Sequence, residues 1–371
     1  MILYLPEFNG IHFLYSVAHN VVYAGECLSK KQNVLFLSNG KVLLLPEDHS
    51  FDVSEETYMK LNRLWDGDVV QIDKKNICYT LYAEESSDNA LVITSACNSN
   101  CRMCPISEKQ RKFADISSID ELLEIARYLP ESMTHLTITG GEPFLIGDSI
   151  FRLLAFLKSY RPEAKYLMLT NGRVFSNLCT ARMYVGTHPD NMITGVPIHG
   201  SRAELHDEIT QARGSFDQTI TGIKHLLYYG DKIEIRIVVS KLNLEDIANI
   251  AEMIVHDIPE VDSVKFMGVE LLGNAAVNEA DVWVDYKTAF QKSQRGIDYL
   301  VSHGIDVGLY NFPLCCIPAN YWGIYHLSIT DNKIRYLKSC DECKERNACG
   351  GIFYGSLRMV QEVYPLLSVA E

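Results

Sequence analysis

From residue 91 to about 304, short apolar runs alternate with longer amphipathic stretches, and this alternation limits the fold more than any other feature of the chain. The runs "ALVITS", "HLTITG", "KYLMLTN", "NMITGVPIH", "KIEIRIVVS" and "DSVKFMGV" read as strands. Between them lie helical stretches such as "SSIDELLEIARYL", "SIFRLLAFLKSY", "SFDQTITGIKHLLYY", "NLEDIANIAEMIVHDI" and "YKTAFQKSQRGIDYLVSHG". Ser118 and Glu121 make a capping box at the first of these. Six βα units in succession imply a parallel sheet with helices outside it, either doubly wound or closed toward a barrel. In both, chemistry sits at the C-terminal ends of the strands.

The flanks read differently. Residues 1 to about 90 predict a small β-rich domain: "NVLFLS-NG-KVLLLP" sets Asn39-Gly40 between apolar runs, a strong hairpin signal. "GDVVQID" and "NICYTLYAE" add strands, and one helix is expected from about Ser54 to Trp65, with Asp52 or Ser54 as its cap. These residues read as a cap, a docking face or a sheet edge for an extended peptide. After residue 305 the alternation stops, and "IDVGLYNF" leads into a cysteine-rich tail. The expected units are thus 1–90, 91–304 and 305–371.

A length of 371 residues is above the usual size of a single core. No apolar run approaches the ~18 residues of a membrane span, and "MILYLPEFNG" lacks the basic start of a signal peptide. A soluble cytoplasmic protein with no membrane partner is expected. The net charge of −13 argues against nucleic acid, whose phosphates call for a Lys/Arg excess. Eleven cysteines in such a chain indicate metal or redox chemistry more than disulfides. Cys27, Cys78 and Cys179 stand alone and read as ordinary small residues.

Directly after the first barrel strand comes "SACNSNCRMCPIS", with Cys97, Cys101 and Cys104 at C-x3-C-x2-C. Thiolates so spaced select an iron-sulfur cluster or zinc. A structural zinc site takes four ligands, so three suit zinc only if a distant histidine completes the set. A four-iron cluster on three thiolates keeps one iron open. "TITGGEP" ends the second strand, where glycines permit close backbone approach, Glu142 can meet an amino group and nearby N–H groups a carboxylate.

Together, "CNSNCRMCP", "GGEP" and "TNG" at Thr170 to Gly172 resemble the radical S-adenosylmethionine (SAM) superfamily. The resemblance implies a partial (β/α)6 barrel and a [4Fe-4S] cluster on Cys97, Cys101 and Cys104, its open iron chelated by the amino and carboxylate groups of SAM. By motif position, Gly140, Gly141 and Glu142, with Pro143, would line the methionyl amino group. Thr170 and Asn171 would lie near the SAM pocket, and Arg236 would meet its carboxylate. Met103 and Pro197 depart from the residues many relatives carry, an aromatic and a serine respectively.

In the tail, Cys340, Cys343 and Cys349 at C-x2-C-x5-C resemble SPASM or Twitch extensions, which bind auxiliary clusters. Phe353 stands where a longer motif continues with cysteine, so one auxiliary [4Fe-4S] cluster is implied, with Cys315 as fourth ligand and Cys316 as the alternative. Zinc is the competing occupant. Longer stretches, among them "GVPIHGSRAELHDEITQARGSFDQTITGI" and "LYNFPLCCIP", are similar to the His-Xaa-Ser system radical SAM maturases of the HxsC type. That similarity implies a ribosomally made precursor peptide as substrate and a side-chain cross-link or related change as product. A reductant such as flavodoxin or ferredoxin and a second radical SAM maturase would be partners. His199, His206 and Asp207 fall in the matched region, either at the pocket or in packing and capping. The other readings are a radical SAM enzyme for a small molecule in cofactor biosynthesis, and an iron-sulfur accessory protein.

Overall fold

The computed structural model describes residues 1–5, 8, 13–47, 49–114 and 117–367. Two sheets dominate it. The first, in the N-terminal part, contains β1 (Ile2–Tyr4), β2 (Phe13–Ala18), β3 (Val34–Ser38), β4 (Lys41–Leu45), β5 (His49–Phe51), β6 (Val69–Ile72) and β7 (Ile77–Tyr82), in the order β1-β7-β6-β2-β3-β4-β5. The expected hairpin is present: Ser38 pairs with Lys41, and Asn39 and Gly40 hold φ of 49° and 79°, the conformation a two-residue turn requires. Helix α2 (Glu55–Leu61) has Ser54 as its cap, accepting from the Thr57 amide, and is shorter than expected. A second helix, α1 (Val21–Ser29), was not expected, because valines at its start and a central glycine obscure the pattern. It is capped by Asn20 and crosses from β2 to β3, which pair in parallel. The N-terminal unit is therefore a mixed, mostly antiparallel sheet that carries two helices where one was expected.

The second sheet carries the alternation. Its strands are β8 (Ala90–Val92), β9 (His135–Thr139), β10 (Lys165–Leu169), β11 (Met192–Pro197), β12 (Ile233–Val239), β13 (Ser263–Gly268), β14 (Asp306–Tyr310) and β15 (Tyr325–His326), all parallel and in chain order. The connecting helices include α3 (Glu108–Lys112), α4 (Ile119–Tyr128), α5 (Ser149–Tyr160), α6 (Leu178–Thr187), α7 (Ala203–Thr210), α8 (Ser215–Tyr228), α9 (Ile247–Asp257), α10 (Gly273–Val277), α11 (Glu279–Val282) and α12 (Tyr286–Ser302). The Ser118/Glu121 capping box is formed at α4. This is the α/β partial barrel expected of the fold. The sheet continues past residue 304, since "IDVGLYNF" supplies β14 and joins it in parallel to β13.

One face of this sheet is apolar except for the buried Thr194, which is hydrogen-bonded to Tyr184 and Asp231. Ile138, Met168, Val196, Ile233, Ile235, Ile237, Val264, Phe266 and Leu309 pack with helix residues such as Leu153, Ile223, Ile250 and Ile297 in one core. Leu14, Val69 and Tyr82 of the first sheet enter the same core, and the hydroxyl of Tyr128 on α4 accepts from the Asn33 amide at 2.9 Å. The two sheets are thus locked through α4. The tail is mostly short turns around a two-stranded ladder, β16 (Ile334–Arg335) and β17 (Ile352–Phe353). Among the described residues no helix is long and apolar enough to cross a membrane.

Candidate functional site

The cysteine loop leaves β8 at the C-terminal edge of the sheet, and its neighbours hold it through its backbone. The Gly141 amide donates to Thr94 O at 2.7 Å and the Glu142 amide to Ala96 O at 2.8 Å. A Cβ on Gly141 would lie 2.2 Å from Ala96 O, so only glycine allows this approach. The two glycines, expected at the methionyl amino group, lie against the cysteine loop, and the amides of Gly141 and Glu142 brace it.

Other braces come from residues the sequence reading passed over. Arg173 donates to Asn98 O at 2.7 Å and to Ser99 Oγ at 3.1 Å. Asn274 Nδ2 donates to Asn100 Oδ1 at 2.9 Å and to Cys101 O at 3.1 Å, while Asn278 Nδ2 donates to Arg102 O at 3.1 Å. The Ala275 amide donates to Cys104 O. The signal was available in "LLGNAAVN", where two asparagines stand one helical turn apart on a short polar segment.

Glu142 is 2% exposed. Its Oε1 accepts from the Phe144 amide at 3.1 Å and from Thr170 Oγ1 at 2.8 Å, and its Oε2 accepts from the Asn171 amide at 2.8 Å. A carboxylate has about four acceptor positions, so one remains on Oε2. Burial pushes the pKa of Glu142 up against these three donors. Thr170 and Asn171, expected near the SAM pocket, are thus brought to Glu142, and Asn171 Nδ2 also reaches Asn98 Oδ1 at 2.6 Å. Pro143 starts the turn after Glu142 and is buried.

Arg236 lies elsewhere, on the sheet face opposite the helices, in register with Pro197. Its Nε is 3.5 Å from Glu234 Oε1, and neither atom has a closer partner among the described residues. The same face carries Lys265, paired with Asp306 at 2.7 Å, and Tyr310 beside His326. Charged residues at alternate positions inside otherwise apolar strands, as in "IEIRIVV", are the sequence sign of this polar lining.

Of the three residues left between pocket and packing, Asp207 accepts from the amides of Gly214 and Phe216 and from Ser215 Oγ. It caps α8; partial burial raises its pKa, yet these donors hold it below the usual carboxylate value. His206 Nδ1 accepts from the His199 amide at 3.2 Å, and the two buried rings are 5.5 Å apart. Burial pulls His199 down to about 3, with His206 adding to the effect, and His206 down to about 4 in spite of Asp207. Both rings are neutral in the folded chain. Unfolded histidine titrates near 6.5, so below that pH the unfolded chain binds the extra protons and stability falls. Acidification from pH 7 to pH 5 is expected to cost about 2 kcal/mol for each ring. Urea unfolding at both pH values should show the slope reduced in His199→Asn, and an unchanged slope would refute the assignment.

The three loop thiols sit close enough to affect one another. Burial pushes Cys97 up and, with Cys104 and Cys97 as neighbours, Cys101 up to about 12. Binding a metal centre there must displace protons. The Ser99 amide already points at Cys97 Sγ, at 3.4 Å.

In the tail, Cys315, Cys340, Cys343 and Cys349 line one cavity with Leu314 and Ile352. Cys349 Sγ accepts from the Leu314 amide at 3.3 Å and the Gly351 amide at 3.4 Å, and Cys343 Sγ from the Leu366 amide at 3.3 Å. Cys316 does not line that cavity; its Sγ approaches Glu362 O at 3.7 Å. The hydrogen bond from Cys316 draws the Cys315 thiol down to about 7, whereas Cys316 itself is pushed far up. Among the described residues no three His, Cys, Asp or Glu side chains gather around a single ion position. Soft thiols around one cavity, with amide donors at two of their sulfurs, are a donor set suited to a soft metal centre.

Comparison with known proteins bears on these thiols. Residues 91–254 match the Radical SAM superfamily. The chain is 24% identical over 216 residues to the antilisterial bacteriocin subtilosin biosynthesis protein AlbA of Bacillus subtilis, covering 56% of this chain and 46% of that one. It is 25% identical over 162 residues to the AdoMet-dependent heme synthase of Nitratidesulfovibrio vulgaris, covering 43% and 42%. Among solved structures, Streptococcus suis SuiB bound to precursor peptide SuiA aligns with 60% of this chain and 47% of that one, at 16% identity and a TM-score of 0.49. The chain spans about half the length of the curated relatives it matches.

Proposed function

We propose, from the match of residues 91–254 to the Radical SAM superfamily, that the chain is a radical SAM enzyme that modifies a ribosomally made precursor peptide, installing a side-chain cross-link or related change. The observation that carries this reading is the pair of separate thiol sets, one on the barrel loop and one around the tail cavity. The likeness to a bacteriocin biosynthesis protein supports a peptide substrate. Among radical SAM maturases, the matched stretches quoted above favour the His-Xaa-Ser system type.

In this reading Cys97, Cys101 and Cys104 hold the catalytic cluster, and Cys315, Cys340, Cys343 and Cys349 hold an auxiliary one. When bound, the first cluster with SAM supplies a 5'-deoxyadenosyl radical that takes a hydrogen atom from carbon. Glu142, fixed by Phe144, Thr170 and Asn171, offers its remaining acceptor position to the methionyl ammonium. Arg236 is the residue assigned to the carboxylate, for which it would exchange its loose contact with Glu234. The polar face of the sheet, with Lys265, Asp306, Tyr310 and His326, orients the peptide side chain.

Co-expression with precursor candidates, followed by tandem mass spectrometry, tests the reading. A peptide mass reduced by about two hydrogens, dependent on Cys101, is the expected result. The likeness to a heme synthase gives the second reading, a small-molecule substrate. SAM cleavage that no peptide stimulates, and no change in any peptide, would favour it.

A further inference from the structure

Arg111, on α3, is 7% exposed and so lies inside the protein. Its guanidinium donates to Asn100 Oδ1 and to Ile106 O, both neutral acceptors. Among the described residues no carboxylate is within ion-pair distance of it. Glu108, the acid on the same helix, makes its ion pair with Lys112 and feels Arg111 only at longer range, as the smallest of the effects that hold its carboxyl below the usual value, and Glu142 is taken up by Phe144, Thr170 and Asn171. Arginine keeps its charge in a protein interior, and a buried charge without a counter-charge is costly.

What faces the guanidinium is the cysteine loop. Arg111 and Cys97 line the same cleft, together with Asn98, Ser99, Asn100, Gln211 and the ion-paired Glu108 and Lys112. The Asn100 that it holds directly precedes Cys101 in the chain. Thiolates on an iron-sulfur cluster would set negative charge against it in this cleft. We propose that Arg111 is the buried counter-charge of the cluster held by Cys97, Cys101 and Cys104, and that it raises the reduction potential of that cluster. The proposal rests on the cluster assignment above. Arg111 is a positioning residue, acting on the metal centre through its field and through the loop it holds at Asn100.

The test is a potentiometric titration of reconstituted chain, following the electron paramagnetic resonance signal that changes when SAM is added. Arg111→Met is expected to make reduction at least tenfold less favourable, about 59 mV for one electron. Arg111→Lys should keep most of the wild-type potential. The metal-free Arg111→Met chain should melt no lower than metal-free wild type, because an uncompensated charge has been removed. Arg111→Met that takes up no cluster while Arg111→Lys does would also support the proposal. An unchanged potential in Arg111→Met would overturn it, and with tenfold weaker SAM binding would assign Arg111 to the SAM carboxylate instead. Loss of cluster uptake in both variants would overturn it in favour of a purely structural fork to Asn100 and Ile106. A wild-type chain giving no iron-sulfur signal would instead sink the underlying cluster assignment.

Discussion

Chain carrying Cys97→Ala, Cys101→Ala and Cys104→Ala is expected to yield no 5'-deoxyadenosine from SAM under reduction, while keeping the melting behaviour of metal-free wild type to within a few degrees. The two halves of this result have separate causes. The thiolates are the loop's anionic sulfur ligands, which the neutral Met103 thioether cannot replace, so removing them removes the metal centre. The loop itself is tied down through Thr94 O, Ala96 O, Asn98 O, Cys101 O, Arg102 O and Cys104 O, and none of these bonds uses a sulfur. Each substitution removes one partly exposed sulfur, a loss of about 1 kcal/mol or less. Product from the triple variant in an assay with dithionite would refute the assignment.

The second large effect is expected in the tail. Reconstituted wild type should hold about eight irons per chain, four in each of two clusters. Cys315→Ala should fall to about four, and so should Cys349→Ala. Cys316→Ala should stay near eight, because Cys316 turns away from the cavity toward Glu362. Iron and zinc are counted together by plasma emission. About four irons with one zinc in wild type would make the tail a zinc site, and a loss in Cys316→Ala without one in Cys315→Ala would exchange the two residues.

The amino-acid order settles the parts of this protein that local physics controls. Apolar periodicity gave the six central strands and the helices between them, because a strand or helix face repeats within a few residues. Asn39-Gly40 and the Ser118/Glu121 capping box were readable for the same reason, since turn and cap chemistry involves immediate neighbours. Helix α1 escaped because its composition opposes its conformation, and packing of Ala24 and Cys27 against Ala18 and Val34 adds to the Asn20 cap in stabilising it. The strand over Asp306–Tyr310 was visible as a strand, yet nothing local says which sheet it joins; β13 supplies the pairing.

The site divides along the same line. Cysteine spacing marks Cys97, Cys101 and Cys104 as a set, because ligands close in the chain must be close in space. The tail set is different: Leu314 meets Cys349 across 35 residues, and the choice of Cys315 over Cys316 is made by which side chain the turn directs into the cavity. Asn274 reaches Asn100 from 174 residues away. The close approach of Gly141 to the cysteine loop and the neutral hydrogen-bond partners of Arg111 likewise depend on which segments tertiary packing presses together. Chain order therefore determines the ligand chemistry and the elements that carry it. The closing of loops between distant segments decides which amides are spent, which charge is left unbalanced, and which thiols share a cavity.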